Sequence, residues 1–147
     1  MNDVFNDLYQ QLIIDHNQNP KNFKIIEGAT HKADGFNPLC GDKIIITLIK
    51  NGNNIKDIAF FGEGCAISKA SASIMTDIIK GYSIEDTKEL FKNFHDAVTK
   101  GNNHNNLGKL SVLSGVFKYP SRVKCATLAW HTLMGALQNT SDTIKTE

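Results

Sequence analysis

Cys40, Asp42, Cys65 and Cys125 carry the chemistry legible in this chain, and they include all three of its cysteines. In Cys40-Gly41-Asp42 a soft sulfur and a hard carboxylate flank a glycine, whose freedom to bend lets both face one ion. Cys65 follows Gly62 and Gly64 and precedes a helical pattern, while Cys125 stands in the first turn after Pro120. A helix start stabilises negative charge, so both settings favour the thiolate that binds metal or attacks sulfur. Together the four residues could close a four-coordinate zinc site. Spacing by itself leaves this open, because the cysteines lie far apart and none belongs to a short C-x-x-C pair. Buried structural cysteines are the alternative.

Three thiolates and a carboxylate around a divalent ion sum to about −2, which calls for nearby cations if the site is partly buried. Lys43, Arg122 and Lys124 adjoin the candidate ligands in sequence. The two lysines read as solvated surface charge. Arg122, one turn before Cys125, is the candidate for steering a thiolate, a persulfide or a partner carboxylate with its fixed fork of donors. Among the histidines, His16, His95 and His104 read as surface residues, His31 reaches the first cysteine loop only if the sheet carries it there, and His131 lies nearly two helical turns beyond Cys125. Ser68, Ser71 and Ser73 lack a G-x-S-x-G elbow and read as small residues that let helices approach. Trp130, Met75 and Met134 read as packing.

The elements that must position these residues follow from periodicity. Val4, Phe5, Leu8, Leu12 and Ile13 mark an amphipathic helix with Asn2 or Asp3 as cap and Asn19-Pro20 as stop. Ile44 to Lys50 and Ile55 to Phe61, joined by Asn51-Gly52-Asn53-Asn54, predict an antiparallel hairpin. Ile25 to His31 is expected to add a third strand, weakened by Gly28. Ile67, Ala70, Ile74 and Ile78 predict a helix ending near Gly81, and Ser83 caps another that carries Leu90, Phe91, Phe94 and Val98 and stops at Gly101. Gly101 to Asn106 is too polar for core. Leu107 to Phe117 predicts a docked short helix or ordered loop, and Pro120-Ser121 opens a last helix with Ala126, Trp130, Leu133 and Leu137 inward. Strands followed by helices predict an α+β fold, a small antiparallel sheet with helices packed on one face.

The 147 residues fit a single domain over 1–147, and an apolar share of 41% suffices for a core. Sixteen basic and fifteen acidic side chains give a formal charge of +1, which argues against broad capture of nucleic acid. No apolar run reaches the roughly 18 residues of a membrane span, and the start Met1-Asn2-Asp3-Val4 lacks signal-peptide character. A cytoplasmic protein with reduced cysteines is expected.

Asn37-Pro38-Leu39-Cys40-Gly41-Asp42, Gly62-Glu63-Gly64-Cys65-Ala66-Ile67-Ser68-Lys69-Ala70-Ser71-Ala72-Ser73 and Arg122-Val123-Lys124-Cys125-Ala126-Thr127-Leu128-Ala129-Trp130 resemble, in order, the three ligand segments of the SufU family, zinc-containing relatives of the IscU iron-sulfur scaffolds. The resemblance spans nearly the whole chain. Scaffolds of the IscU kind carry histidine just before the last cysteine, where this chain has Lys124, and a segment of roughly Lys100 to Lys118 resembles the SufU insertion.

The resemblance implies zinc on Cys40, Asp42, Cys65 and Cys125, and a pyridoxal-phosphate cysteine desulfurase of the SufS kind as partner. In the implied mechanism a desulfurase histidine replaces Cys40 on the metal, and Cys40 accepts the sulfane sulfur while Asp42 holds on. The sulfur then passes to an iron-sulfur scaffold or another acceptor. The chain is thus expected to act as a sulfurtransferase-type partner, not a stand-alone enzyme, since a closed site lacks the open position of zinc hydrolases. Two alternatives remain: a scaffold that builds a [2Fe-2S] cluster on the same cysteines, and a structural zinc module that mediates contacts.

Overall fold

The computed structural model describes residues 2–102, 107–139 and 143–145, with side chains from residue 10 onward. Its elements run α1 (Asn2–Gln18), β1 (His31–Asn37), β2 (Asp42–Asn51), β3 (Asn54–Glu63), α2 (Ala66–Ile79), α3 (Ile84–Lys100), a 3₁₀ helix (Gly108–Lys118), α4 (Pro120–Leu137) and β4 (Ile144–Lys145). The sheet has four strands in the order β3-β2-β1-β4. Both β1/β2 and β2/β3 are antiparallel, as the sequence predicts, whereas the two-residue β4 adds on in parallel, so the sheet is mixed.

Ile44, Ile46 and Leu48 alternate along β2 and are fully buried beneath the helices, with Ile58 and Phe60 of β3 beside them. Burying an Ile, Leu or Phe side chain is worth roughly 1.5–3 kcal/mol, so this face fixes which side of the sheet receives the helices. From α4, Ala126, Trp130 and Leu133 enter the same core, as does Phe94 from α3, stacked on Trp130 at 4.8 Å between ring centroids. Leu137, expected on the inward stripe, is only partly buried. Ser83 caps α3 by accepting from the Asp86 N–H, and left-handed Gly101 closes it.

Two expectations need correction. The third strand does not occupy Ile25 to His31 but starts at His31 and runs to Asn37. Gly28 has φ +75°, a turn conformation that breaks an extended run, and the preceding residues cover the free edge of β3, with Lys24 N–H donating to Phe60 O and Phe60 N–H to Asn22 O. His16 is buried, not a surface residue: its Nδ1 lies 2.6 Å from Ser73 Oγ, which also accepts from the Lys21 N–H. A helical stripe of Leu12 and Ile13 brings it inward, a position that its polarity conceals in the sequence.

The segment of 107 to 117 is an ordered 3₁₀ helix that buries Leu110, Leu113 and Val116. Gly101 and Asn102 are exposed, while residues 103–106, including His104, lie outside the described residues. No helix among the described residues is long and apolar enough to cross a membrane.

Candidate metal centre

Asn37 and Asp42 are the last register pair between β1 and β2, so the segment 38–41 is the tip of a hairpin and Cys40 sits on it. Gly41, at φ +73°, turns the chain into β2, and its N–H donates to Asn37 O at 2.9 Å. The left-handed conformation explains why glycine stands between Cys40 and Asp42. Leu39 and Cys40 are exposed, whereas Asp42 starts β2 at 0% exposure.

The second loop closes onto that carboxylate. Cys65 N–H donates to Asp42 Oδ1 at 2.8 Å, and Cys65 is the N-cap of α2, its sulfur accepting from the Ser68 N–H at 3.4 Å. Gly64 lies so near that a Cβ there would stand 2.6 Å from Asp42 Oδ1. Cys125, buried in the first turns of α4, completes the convergence, its sulfur 3.2 Å from that of Cys40.

The ligand atoms of Cys40, Asp42 and Cys125 all lie within 4.8 Å of one another, a spread one metal ion can bridge. Cys65 stands outside that mutual set, and its thiol interacts with that of Cys125. That contact separates the two thiols chemically. The bond from Cys125, reinforced by the Ser68 N–H, lowers the Cys65 thiol to about 7. Cys125 moves the other way, pushed up because it hydrogen-bonds to Cys65, is buried, and hydrogen-bonds to Cys40. One thiolate is thus favoured at the expense of its neighbour, and a divalent cation is the addition that lets these sulfurs ionise together.

The donor set fits such a cation. Asp42 has no ion pair with Lys or Arg among the described residues, and its oxygens are met only by the N–H groups of Cys65 and Asn37. Each carboxylate oxygen accepts more than one partner, so the bonds leave lone pairs for a metal.

Other candidates stand apart. Arg122 is exposed, with its guanidinium carbon 5.1 Å from the centre of the Tyr119 ring, and no hydrogen bond joins it to a cysteine among the described residues. Lys43 is exposed, and Lys124 lines a cavity of about 440 Å³ with His131 and Lys145. His131 packs against His95 and Phe91 of α3. His31 hydrogen-bonds to Thr30 at the far end of β1. Two serines of α2 differ: Ser71 Oγ donates to Ala126 O at 2.6 Å and accepts from Trp130 Nε1, while Ser68 Oγ is buried with no partner among the described residues.

Asn37 is a residue of the site that its local sequence does not mark. It is 0% exposed, and its Nδ2 lies 3.2 Å from Asp42 Oδ2 and 3.6 Å from Cys125 Sγ. Its place three residues before Cys40 was the available signal, but an Asn-Pro pair before a turn reads first as turn chemistry.

The chain matches the family model of the NifU-like N-terminal domain over residues 8–126. It is 43% identical over 129 residues to the zinc-dependent sulfurtransferase SufU of Bacillus subtilis, covering 86% of each chain. It is 38% identical to the iron-sulfur cluster assembly scaffold protein IscU of Streptococcus pyogenes, over 93% of this chain and 87% of that one. Among solved structures, an iron-sulfur cluster assembly scaffold protein for the SUF system from Fervidobacterium islandicum superposes with a TM-score of 0.82 at 35% identity, covering 88% of this chain and 96% of that one. A NifU-like protein from Brucella abortus shares the fold with the same TM-score, 0.82, at 16% identity, over 90% of this chain and 94% of that one.

Proposed function

The chain belongs to the family of NifU-like N-terminal domains, and from that membership we propose that it is a zinc-dependent sulfur acceptor of iron-sulfur cluster assembly. It takes persulfide sulfur from a pyridoxal-phosphate cysteine desulfurase and hands it to a scaffold or another acceptor. The observation that carries this reading is an asymmetry among the ligands: Cys40 is exposed at a hairpin tip while Asp42 and Cys125 are buried. The Cys40 sulfur can leave the site without unpacking the fold, and the buried Asp42 and Cys125 cannot.

Cys40, Asp42, Cys65 and Cys125 would hold the zinc, whose positive charge would keep the thiols deprotonated and restrained. The residues of the chain do the rest. Cys40, as thiolate, attacks the outer sulfur of the desulfurase persulfide; a new S–S bond forms on Cys40, the old one breaks, and the desulfurase cysteine leaves as thiolate. The burial of Asp42 and Cys125 keeps their side chains in place during the exchange. Arg122, exposed on Tyr119 one turn before Cys125, carries the charge to attract an anionic persulfide or a partner carboxylate.

A scaffold role is the second reading, favoured by the similarity to IscU of Streptococcus pyogenes. Lys124, in place of the histidine that scaffolds of the IscU kind carry, favours sulfur transfer. The test is to purify the protein, measure its metal content, and follow cysteine-dependent turnover of a matched desulfurase. Stoichiometric zinc with stimulation that disappears in Cys40→Ala is expected. Bound iron with cluster absorption would establish the scaffold, and zinc without stimulation would reduce the chain to a structural module.

A further inference from the structure

The buried Asn37 amide is oriented by its own bonds. Its Oδ1 accepts from the Leu39 N–H at 3.3 Å, which turns the NH₂ group toward the candidate metal ligands. There Nδ2 lies 3.2 Å from Asp42 Oδ2 and 3.6 Å from Cys125 Sγ. The backbone of the same residue accepts from Gly41 N–H and closes the hairpin tip. Asn37 thus touches a ligand from the first loop and one from α4, elements that meet nowhere in the sequence. No hydrogen bond from its side chain reaches Cys40 among the described residues.

We infer that Asn37 is a positioning residue of the metal centre: it holds the Asp42 and Cys125 ligands together and donates an N–H to the Cys125 sulfur, which leaves Cys40 as the ligand that exchanges. This rests on the zinc-site reading above and adds to it. An amide N–H directed at a metal-bound thiolate withdraws electron density from the sulfur and makes it a less ready nucleophile. The same donor on Asp42 fixes the carboxylate against rotation. Selection of Cys40 as acceptor then has two sources: its own exposure, and the restraint placed on its neighbours.

The test compares Asn37→Ala and Asn37→Asp with the parent protein loaded with zinc or, separately, with cobalt(II). Loss of the donor is expected to weaken zinc binding by about 10- to 100-fold in a chelator competition. It is also expected to move the sulfur-to-cobalt charge-transfer band to longer wavelength, because an unbonded thiolate holds its electrons less tightly. Asn37→Asp keeps the shape and the acceptor for Leu39 while placing an oxygen where the donor stood, so it reports even if Asn37→Ala folds poorly, and its band is expected to move in the same direction. A residue that merely supports the hairpin would leave the band of folded cobalt protein in place, and an unmoved band in the folded variants overturns the inference. If the parent protein binds zinc yet takes no sulfur, the sulfur-acceptor reading fails while the Asn37 band shift still stands or falls by itself.

Discussion

At the scale of single residues, Ser71 and Ser68, two of the three serines of α2, separate a satisfied buried hydroxyl from an unsatisfied one. Ser71 joins α2 to α4 through Ala126 O and Trp130 Nε1. Ser71→Ala would leave a buried indole N–H without its partner, and a loss of about 1–3 kcal/mol is expected in denaturant unfolding. Among the described residues, Ser68 Oγ has no partner. Ser68→Ala is therefore expected to be neutral or stabilising in the same measurement, and a loss as large as that of Ser71→Ala would mean the hydroxyl has work the geometry does not reveal. The thiols differ as sharply: the hydrogen bond that favours thiolate on Cys65 keeps the proton on Cys125.

At the scale of elements, the candidate centre is a junction of the β1–β2 hairpin with α2 and α4. A hairpin tip supplies Cys40, a strand start Asp42, a helix N-cap Cys65, and the first turns of α4 Cys125. The strand-to-helix link through Gly64 sets how closely the second loop approaches the first, since a Cβ at that position meets Asp42 Oδ1 at 2.6 Å. Gly64→Ala must displace a carboxylate pinned by Cys65 and Asn37. Zinc affinity is expected to fall by about tenfold or more, as for loss of a supporting contact, while circular dichroism retains the helix signal. Unchanged affinity would show that the carboxylate has room to shift. Beside this junction, Leu39 and Tyr119 leave exposed apolar surface on the flanking segments, Tyr119 under Arg122.

At the scale of the molecule, histidines packed between helices tie the helices to one another and link stability to pH. His16 joins α1 to Ser73 of α2, and His131 of α4 packs on His95 of α3. Burial lowers both imidazoles from the ordinary 6.5, with the neighbouring His95 adding to the effect at His131. The unfolded chain therefore binds protons in a range where the native chain does not. Stability is complete above about 6.5 and falls as pH drops through that value toward the folded-state values, by at most about 1.4 kcal/mol per pH unit for each histidine. Thermal unfolding of the metal-free protein between about pH 7.5 and 5.5 should show this loss, and His16→Asn should make the slope shallower. A slope unchanged by the substitution would remove His16 as a source.

How much of this was legible in the chain depended on the range of the interaction. The hairpin of β2 and β3, the capped α3 and the stop at Gly101 could be read because turn residues, caps and periodicity act within a few residues. β1 lies several residues beyond the expected stretch because its pairing with β2 and the turn at Gly28 compete there, and only the register decides between them. The two-residue β4 has no local pattern, since its pairing depends on a neighbour far away in the chain.

The sequence by itself determined the kinds of donor present, the glycine bend between Cys40 and Asp42, and helix starts near the other two cysteines, for these follow from side-chain chemistry and local dihedral preference. The tertiary structure alone decided that Cys40, Asp42 and Cys125 share one spot, that Cys65 stands at its edge, and that Asn37 and His16 are buried. Distances between segments far apart in the chain are set by packing of the sheet against α2 and α4. No local pattern encodes that packing, because it is the sum of many weak contacts across the core.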